Sequence, residues 1–160
     1  MQQVEHNAAQ LAEAAILRAD DRKRFIVALS GPPGAGKSTL SEMLVAEFSR
    51  RGQTAAIVPM DGFHLDNAVL EARGTLARKG APFTFDADGY AILLERLRRT
   101  PAAEVAVPVF DRVLDLARAG GRIIAPEHRF LIAEGNYLLL DEAPWLHLAK
   151  MFDLTVTLRV

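Results

Sequence analysis

The sequence predicts an α/β fold, a parallel sheet covered by helices on both faces, and three neighbouring patterns lead to this prediction. Phe25 to Leu29 is a continuous apolar run bounded by charges on one side and by glycine and proline on the other, which is typical of a central strand buried on both faces. An apolar stripe from Leu40 to Phe48 predicts a helix that ends at Arg51, with Gly52 as a left-handed cap. Thr54 to Val58 follows as a second strand, so these elements form a right-handed βαβ unit.

Composition and charge narrow the class of protein. The chain has 160 residues, of which 50% are hydrophobic, and this suits one domain with an N-terminal helix and connector over 1–24 and a core over 25–160. A net charge of -1 argues against general nucleic-acid binding, and the lack of cysteine excludes disulfides, thiolate metal sites and a cysteine nucleophile. The sequence shows no signal peptide and no long apolar run, which predicts a cytoplasmic protein without a membrane partner. The oligomeric state stays open, with a homodimer as the commonest soluble assembly.

The remaining elements follow from periodicity and from capping residues. Helices are predicted over Val4 to Leu17, from Asp66 to Arg73, from Asp86 or Asp88 to Arg99, and around Ala143 to Lys150. Strands are predicted over Val105 to Val109, where a proline indicates an edge or an exposed arm, and as buried strands over Phe130 to Ala133 and Leu154 to Leu158. The charged run Asp20 to Arg24 is predicted to be a solvated connector, and Gly74 to Thr84 a polar loop.

A glycine-rich segment between the first strand and the first helix of this unit carries the strongest functional signal. Gly31-Pro32-Pro33-Gly34-Ala35-Gly36-Lys37-Ser38 fits the pattern G-x-x-x-x-G-K-[ST] of a phosphate-binding loop. In such a loop, backbone N–H groups and the helix N-terminus surround phosphates, Lys37 meets the β- and γ-phosphates, and the Ser38 hydroxyl coordinates magnesium. The predicted nucleotide-binding residues are Gly31, Gly34, Ala35, Gly36, Lys37, Ser38 and Thr39, with ATP and Mg²⁺ as the cofactors.

Two carboxylates are expected at the same sheet edge as this loop. Asp61 follows the second strand, where open α/β sheets bind ligands, and can orient and deprotonate an acceptor hydroxyl. Glu134 follows an apolar strand and precedes Gly135, so it should project at the same edge. His64 can hydrogen-bond an acceptor hydroxyl through its imidazole.

These motifs together resemble a known family. The phosphate loop is followed in order by Asp61-Gly62-Phe63-His64, the segment from Arg78 to Asp86, Pro108-Val109-Phe110-Asp111-Arg112 and Ala133-Glu134-Gly135-Asn136-Tyr137. This arrangement resembles the uridine kinase, phosphoribulokinase and bacterial pantothenate kinase superfamily. It most resembles a bacterial branch described as nucleoside kinase-like or as fructose-transport-system kinases, which are fructokinase-like. The resemblance covers Phe25 to Val160 and implies a P-loop NTPase fold.

The resemblance also implies roles for single residues. It implies that Asp61 is the catalytic base and that Glu134 lies near the magnesium ion and the reacting phosphate. Lys37 is expected to bind the phosphates. The segment with Arg78 and Lys79 resembles the family's substrate loop. Further substrate contacts are expected from Phe110, Arg112, Tyr137 and His64.

The sequence departs from the family pattern at its end. In this superfamily the strand that Leu154 to Arg159 resembles is followed by a helical lid whose arginines clamp the transferred phosphoryl group. Here the chain stops at Val160. The resemblance therefore implies a C-terminal truncation, with poor catalysis by this chain alone and an exposed apolar surface.

The functional prediction is an ATP-dependent phosphotransferase that acts on a hydroxyl of a small metabolite, and the family branch favours a sugar such as fructose. Composition does not choose among a ketose, a nucleoside and pantothenate. Two other classes of protein stay open: a nucleotide-binding regulatory ATPase or switch, and an interaction module with a vestigial phosphate loop.

Overall fold

The computed structural model describes the backbone of residues 2–160 and the side chains from Asn7 onward. Its main sheet has four parallel strands, β1 (Phe25–Ser30), β2 (Ala55–Pro59), β5 (Phe130–Gly135) and β6 (Leu154–Thr157), in the order β2, β5, β1, β6. Strands β3 (Val105–Asp111) and β4 (Leu116–Ile124) pair antiparallel as a separate ribbon. The helices are α1 (Gln2–Ala19), α2 (Lys37–Arg50), α3 (Asn67–Ala72) and α4 (Ala87–Arg99).

The main sheet has an apolar layer on each face. Alternate side chains of β1 point to opposite sides, with Phe25, Val27 and Leu29 packed under α1 and α2. Ile26 and Ala28 belong to the other layer, which α4 and the segment around Trp145 cover. Helices therefore lie on both faces of a parallel sheet with β1 inside it, and the predicted fold class is confirmed.

Local capping signals were reliable. The Asp66 carboxylate accepts a hydrogen bond from Ala68 N at 2.8 Å and starts α3, and Asp86 accepts from Gly89 N at 2.9 Å and starts α4. Gly52 follows α2 with a φ of 70°, as its predicted role as a left-handed cap requires. The helix predicted from Val4 is confirmed by α1, while the packing of the Val4 side chain lies outside the described residues.

The prediction of a solvated connector is wrong for Arg24. Its side chain is 3% exposed, and the guanidinium donates to Leu97 O, Pro101 O and Ala125 O. The carbonyls of Leu97 and Pro101 lie at the C-terminal end of α4 and just after it, and Ala125 follows β4. The buried cation is tolerated because it donates to backbone oxygens that would otherwise be buried without a hydrogen-bond partner. The flanking Lys23 is exposed as predicted.

Two other predictions near the C-terminus are wrong. The helix expected around Ala143 to Lys150 is a pair of 3-10 turns, Trp145–His147 and Ala149–Met151. Leu148 N donates to Trp145 O and Met151 N to Leu148 O, so these bonds span three residues and not the four of an α-helix. The last strand, β6, is half-exposed instead of buried, since it lies at the edge of the sheet and pairs only with β1.

The ribbon of β3 and β4 positions one wall of the functional site. Its first strand carries Pro108 at a register shift and has only β4 as a neighbour, so the predicted edge position is confirmed. The alternative of an exposed arm is wrong, because Val105 and Val107 are buried in the core, and β4 was not predicted. Arg122 of β4 donates to Ile57 O at 2.7 Å and ties the ribbon to β2.

Along residues 2–160, no helix is both long enough and apolar enough to cross a membrane.

His128, between the ribbon and β5, makes stability depend on pH. Its Nδ1 accepts a hydrogen bond from Ala125 N at 2.9 Å, and burial, followed by the nearby charge of Arg24, lowers its pKa from 6.5. The unfolded chain therefore takes up this proton first, so the stabilisation is complete above pH about 6.5 and is lost as pH falls through the lower folded pKa.

We expect this group to lower the melting temperature, measured by calorimetry, as the pH falls from 7 to 5. His128→Asn keeps an acceptor but does not titrate, so this part of the pH dependence should disappear. His147→Asn, at an exposed position, is the matched control and should retain the wild-type profile. Equal pH profiles for the two variants would contradict the prediction.

Candidate active site at the carboxyl edge of the sheet

The sheet order brings three chain segments to one edge. Strand β5 lies between β1 and β2, and Glu134 near its end is in register with Leu29 and Pro59. The glycine-rich loop leaves the end of β1, and Asp61 lies in the 3-10 turn Met60–Phe63 that follows β2. Glu134 therefore stands between the strand that leads to the phosphate loop and the strand that leads to Asp61, as open α/β sheets arrange their ligand sites.

The loop has the backbone that phosphate binding requires. Gly34 and Gly36 have φ angles of 78° and 84°, in the left-handed region that glycine adopts without a Cβ penalty. Gly36 is the N-cap of α2 and offers no side-chain hydrogen bond to it. The first N–H groups of this helix are therefore available to an anion, which the positive end of the helix dipole also favours.

Lys37 is held inside the loop. Its Nζ donates to Gly31 O at 2.9 Å and to Pro32 O at 2.8 Å, and the residue is 9% exposed. Burial lowers the pKa of Lys37, and the negative charges of Glu134 and Asp61 act against this shift. The ammonium group is thus desolvated next to the loop, where it would interact strongly with a phosphate.

Glu134 accepts hydrogen bonds from two serines of α2. Ser38 Oγ donates to Oε1 at 2.5 Å, and Ser41 Oγ donates to Oε2 at 3.0 Å. Because the Ser38 proton is directed at the carboxylate, the oxygen lone pairs of this hydroxyl face away from it. Hard oxygen donors of this kind are what Mg²⁺ prefers, so Ser38 and Glu134 suit such a cation.

Asp61 has a charged partner from the ribbon. Arg112 Nη2 lies 3.7 Å from Asp61 Oδ2, and the Arg112 side chain is exposed at the mouth of the cleft. His64 Nδ1 donates to Asp61 O at 2.8 Å, which in the neutral ring leaves Nε2 as an acceptor. The His64 ring lies between Phe85 and Phe110, with centroid distances of 4.1 and 4.4 Å.

The far end of the cleft is built around Lys79. Its Nζ donates to Asn67 Oδ1 at 2.7 Å and to Asp115 O at 2.6 Å, and it lies 3.1 Å from Asp115 Oδ2. It also lies 5.2 Å from the centroid of the Phe110 ring. Lys79 thereby joins α3, the polar loop and the tip of the ribbon.

One cleft of about 950 Å³ brings most of the predicted residues together. Its lining includes Gly34, Gly36, Lys37, Ser38, Thr39, Asp61, His64, Lys79, Phe110, Arg112 and Glu134. Gly31 and Ala35 of the loop do not line it.

Arg78 and Tyr137 do not line this cleft either, and their substrate contacts stay predictions. Arg78, the last residue of the 3-10 turn Leu76–Arg78, has its guanidinium carbon 5.0 Å from the centroid of the Phe83 ring. The Tyr137 hydroxyl donates to Gly80 O at 2.6 Å. Burial raises the pKa of Tyr137, and the charge of Asp61 adds to this effect.

Sequence reasoning missed four residues around this cleft. Asn67, Leu76 and Asp115 line it, and Ser41 bonds the carboxylate of Glu134. Asp115 lies in a turn of the ribbon with a φ of 54°, and no local pattern links it to Lys79. Only Ser41 had a signal that could have found it, since it lies one helical turn after Ser38 and thus on the same face.

The chain is similar to known P-loop kinases. The crystal structure of a provisionally named fructose transport system kinase from Silicibacter sp. TM1040 superposes with a TM-score of 0.90 at 48% identity, covering 96% of this chain and 74% of that one. This chain belongs to the uridine kinase-like and pantothenate kinase-like family of P-loop kinases. A provisionally named uridine kinase of Schizosaccharomyces pombe is 34% identical over 87% of this chain and 62% of its own length.

Other relatives are matched over less of their own length. A pantothenate kinase of Listeria welshimeri is 35% identical over 86% of the chain and 45% of its own length. The chain spans about three fifths of the length of the first curated relatives it matches, 62% and 59% for two of them. A family model of the methylmalonyl-CoA mutase-associated GTPase MeaB matches residues 1–64, which include the phosphate loop but not Glu134.

Proposed function

We propose that this P-loop kinase transfers the γ-phosphate of ATP to a hydroxyl group of a small metabolite, a sugar such as fructose. One observation carries the proposal: the carboxylates of Asp61 and Glu134 line the same cleft as Lys37 and Ser38 of the phosphate loop. A phosphate loop alone would suit any nucleotide hydrolase. A carboxylate opposite it supplies the base that a hydroxyl acceptor needs.

The phosphates of ATP would occupy the loop. The N–H groups at the start of α2 and the Lys37 ammonium are the donors that we assign to them. On nucleotide binding, the Lys37 ammonium would exchange its hydrogen bonds to Gly31 O and Pro32 O for hydrogen bonds to phosphate oxygens. The buried cation would therefore keep hydrogen-bond acceptors throughout. Ser38 and Glu134 are the residues that would hold Mg²⁺, which when bound neutralises charge on the phosphates.

Asp61 is assigned as the base. A carboxylate oxygen of Asp61 would take the proton of the acceptor hydroxyl while the hydroxyl oxygen forms its bond to the γ-phosphorus. The bond from that phosphorus to the bridging oxygen breaks, and ADP leaves. The Arg112 guanidinium, 3.7 Å from Asp61, would help to keep this carboxylate in place before the acceptor binds.

The acceptor end of the cleft supports a sugar over a nucleoside. Lys79 and His64 already lie beside the Phe110 ring, and Phe85 is 7% exposed beneath His64. Phe83, which is exposed, lies outside the cleft under Arg78. The aromatic rings near the acceptor are thus occupied by protein groups, while the partly exposed carboxylates of Asp61 and Asp115 line the cleft and can accept hydrogen bonds from a polyol.

Pantothenate is the second candidate acceptor. The pantothenate kinase of Listeria welshimeri is 35% identical to this chain, and the exposed Arg112 at the cleft mouth could pair with a carboxylate. A regulatory GTPase or ATPase without an acceptor is favoured only by the MeaB model over residues 1–64.

The test is ADP release from Mg-ATP by the purified protein with fructose, other sugars, uridine, cytidine and pantothenate offered separately. We expect a sugar to raise the rate at least tenfold over the rate without acceptor. Stimulation by pantothenate or a nucleoside alone would overturn the sugar assignment. ATP binding without stimulation by any acceptor would overturn the kinase proposal for this chain.

A further inference from the structure

The carboxylate of Glu134 is held by two hydroxyl groups of one helix, and only one of these, that of Ser38, belongs to the phosphate loop. The other is that of Ser41, whose Oγ lies 3.0 Å from Oε2 while Ser38 Oγ lies 2.5 Å from Oε1. Residues three apart in an α-helix share a face. Glu134 therefore bridges the two serines with one oxygen on each.

The two serines differ in their access to solvent. Ser38 is exposed and lines the cleft, so water, phosphate or a cation can take the place of its present partner. Ser41 is 0% exposed, so its hydroxyl has no solvent to turn to. A buried serine within a helix often donates to the carbonyl four residues before it, but Ser41 donates to Glu134 across the sheet edge.

We propose that Ser41 is a positioning residue that keeps Glu134 oriented for the cation, an inference that rests on the proposed function. When Ser38 turns to a ligand, Ser41 is the donor that still restrains the carboxylate. A glutamate side chain has several rotatable bonds, and fixing them before the cation arrives removes an entropy cost from binding. Hydrogen bonds to a metal-binding side chain commonly control metal affinity in this way.

Ser41→Ala is the direct test, because alanine fits the space and favours the helix. The first measurement is the affinity for Mn²⁺, as a substitute for Mg²⁺, in the presence of a non-hydrolysable ATP analogue, by electron paramagnetic resonance. We expect about a tenfold loss of Mn²⁺ affinity. The Mg²⁺ concentration for half-maximal ADP release should rise by a similar factor, with kcat at saturating Mg²⁺ within about threefold.

Two further variants separate the hydroxyl group from packing. Ser49→Ala, exposed on the same helix, should bind Mn²⁺ as the wild type does. Ser41→Thr keeps a hydroxyl and should recover most of the affinity. In a Glu134→Ala background, which has no acceptor for the Ser41 hydroxyl, Ser41→Ala should cause no further loss, since the two changes remove the same interaction.

The outcomes are distinct. If Ser41→Ala binds Mn²⁺ as tightly as the wild type does, the positioning role is overturned and the proposed function is not affected. The same conclusion follows if Ser41→Ala and Ser41→Thr lose equal Mn²⁺ affinity. If the wild-type protein binds no Mn²⁺ with the nucleotide analogue, the proposed function fails and this inference fails with it.

Discussion

Replacing Asp61 by asparagine is expected to lower kcat for phosphoryl transfer to the acceptor by about a thousandfold. Asparagine has nearly the same shape and keeps an oxygen that can face Arg112, which lies 3.7 Å from the present carboxylate. It cannot take a proton from a hydroxyl group at neutral pH. The loss should therefore fall on the chemical step, while the affinity for Mg-ATP, measured by calorimetry, stays within about twofold.

The control for this prediction is Asp88→Asn, an exposed carboxylate in the first turn of α4. It changes the net charge by the same amount and should leave kcat and ATP affinity unchanged. If Asp61→Asn retains more than about a tenth of the wild-type kcat, then Asp61 is not the base. A large loss of ATP affinity would instead indicate that Asp61 acts in nucleotide binding.

The parts of the site that could be predicted are those encoded by neighbouring residues. The glycines of the phosphate loop set its backbone directly, and their place between a buried strand and a helix identifies the sheet edge where the loop lies. Asp61 and Glu134 follow strands of the same sheet, so parallel topology alone brings them to that edge. The caps Asp66 and Asp86 act within three residues of themselves.

The parts that could not be predicted depend on partners far away in the chain. Ser41 and its acceptor Glu134 are 93 residues apart. The spacing from Ser38 places Ser41 on the same face of α2, but nothing local identifies Glu134 as its acceptor. Strand β4 is largely exposed and contains Gly120, Gly121 and two arginines, so it lacks the alternating apolar pattern of a buried strand. Its pairing with β3 comes from backbone hydrogen bonds, which leave no trace in residue type.

The wrong prediction for Arg24 has the same origin. A run of charges beside a strand is usually solvated, and Lys23 follows that rule. Arg24 is the last residue before β1, and its acceptors Leu97 O, Pro101 O and Ala125 O come from segments 73 to 101 residues away. Their convergence on one guanidinium is a property of the folded chain and not of the local sequence.

Arg24→Met is therefore expected to lower the free energy of unfolding by about 3 kcal/mol. Methionine can fill the space of the aliphatic stem, but it leaves three backbone carbonyls without their donor in a part of the protein where Arg24 is 3% exposed. Two of the three bonds are long, at 3.3 and 3.4 Å, which keeps the expected loss below that of three full charged bonds. In a protein of this size the melting temperature should fall by about 6–12 °C.

Lys23→Met is the matched control, since it removes the same charge at the neighbouring, exposed position. Its free energy of unfolding should stay within about 0.5 kcal/mol of the wild type. Denaturant titrations of both variants at one pH provide the comparison. A loss for Arg24→Met as small as that for Lys23→Met would mean that water satisfies the three carbonyls. The buried guanidinium would then contribute nothing to joining the end of α4 to the ribbon.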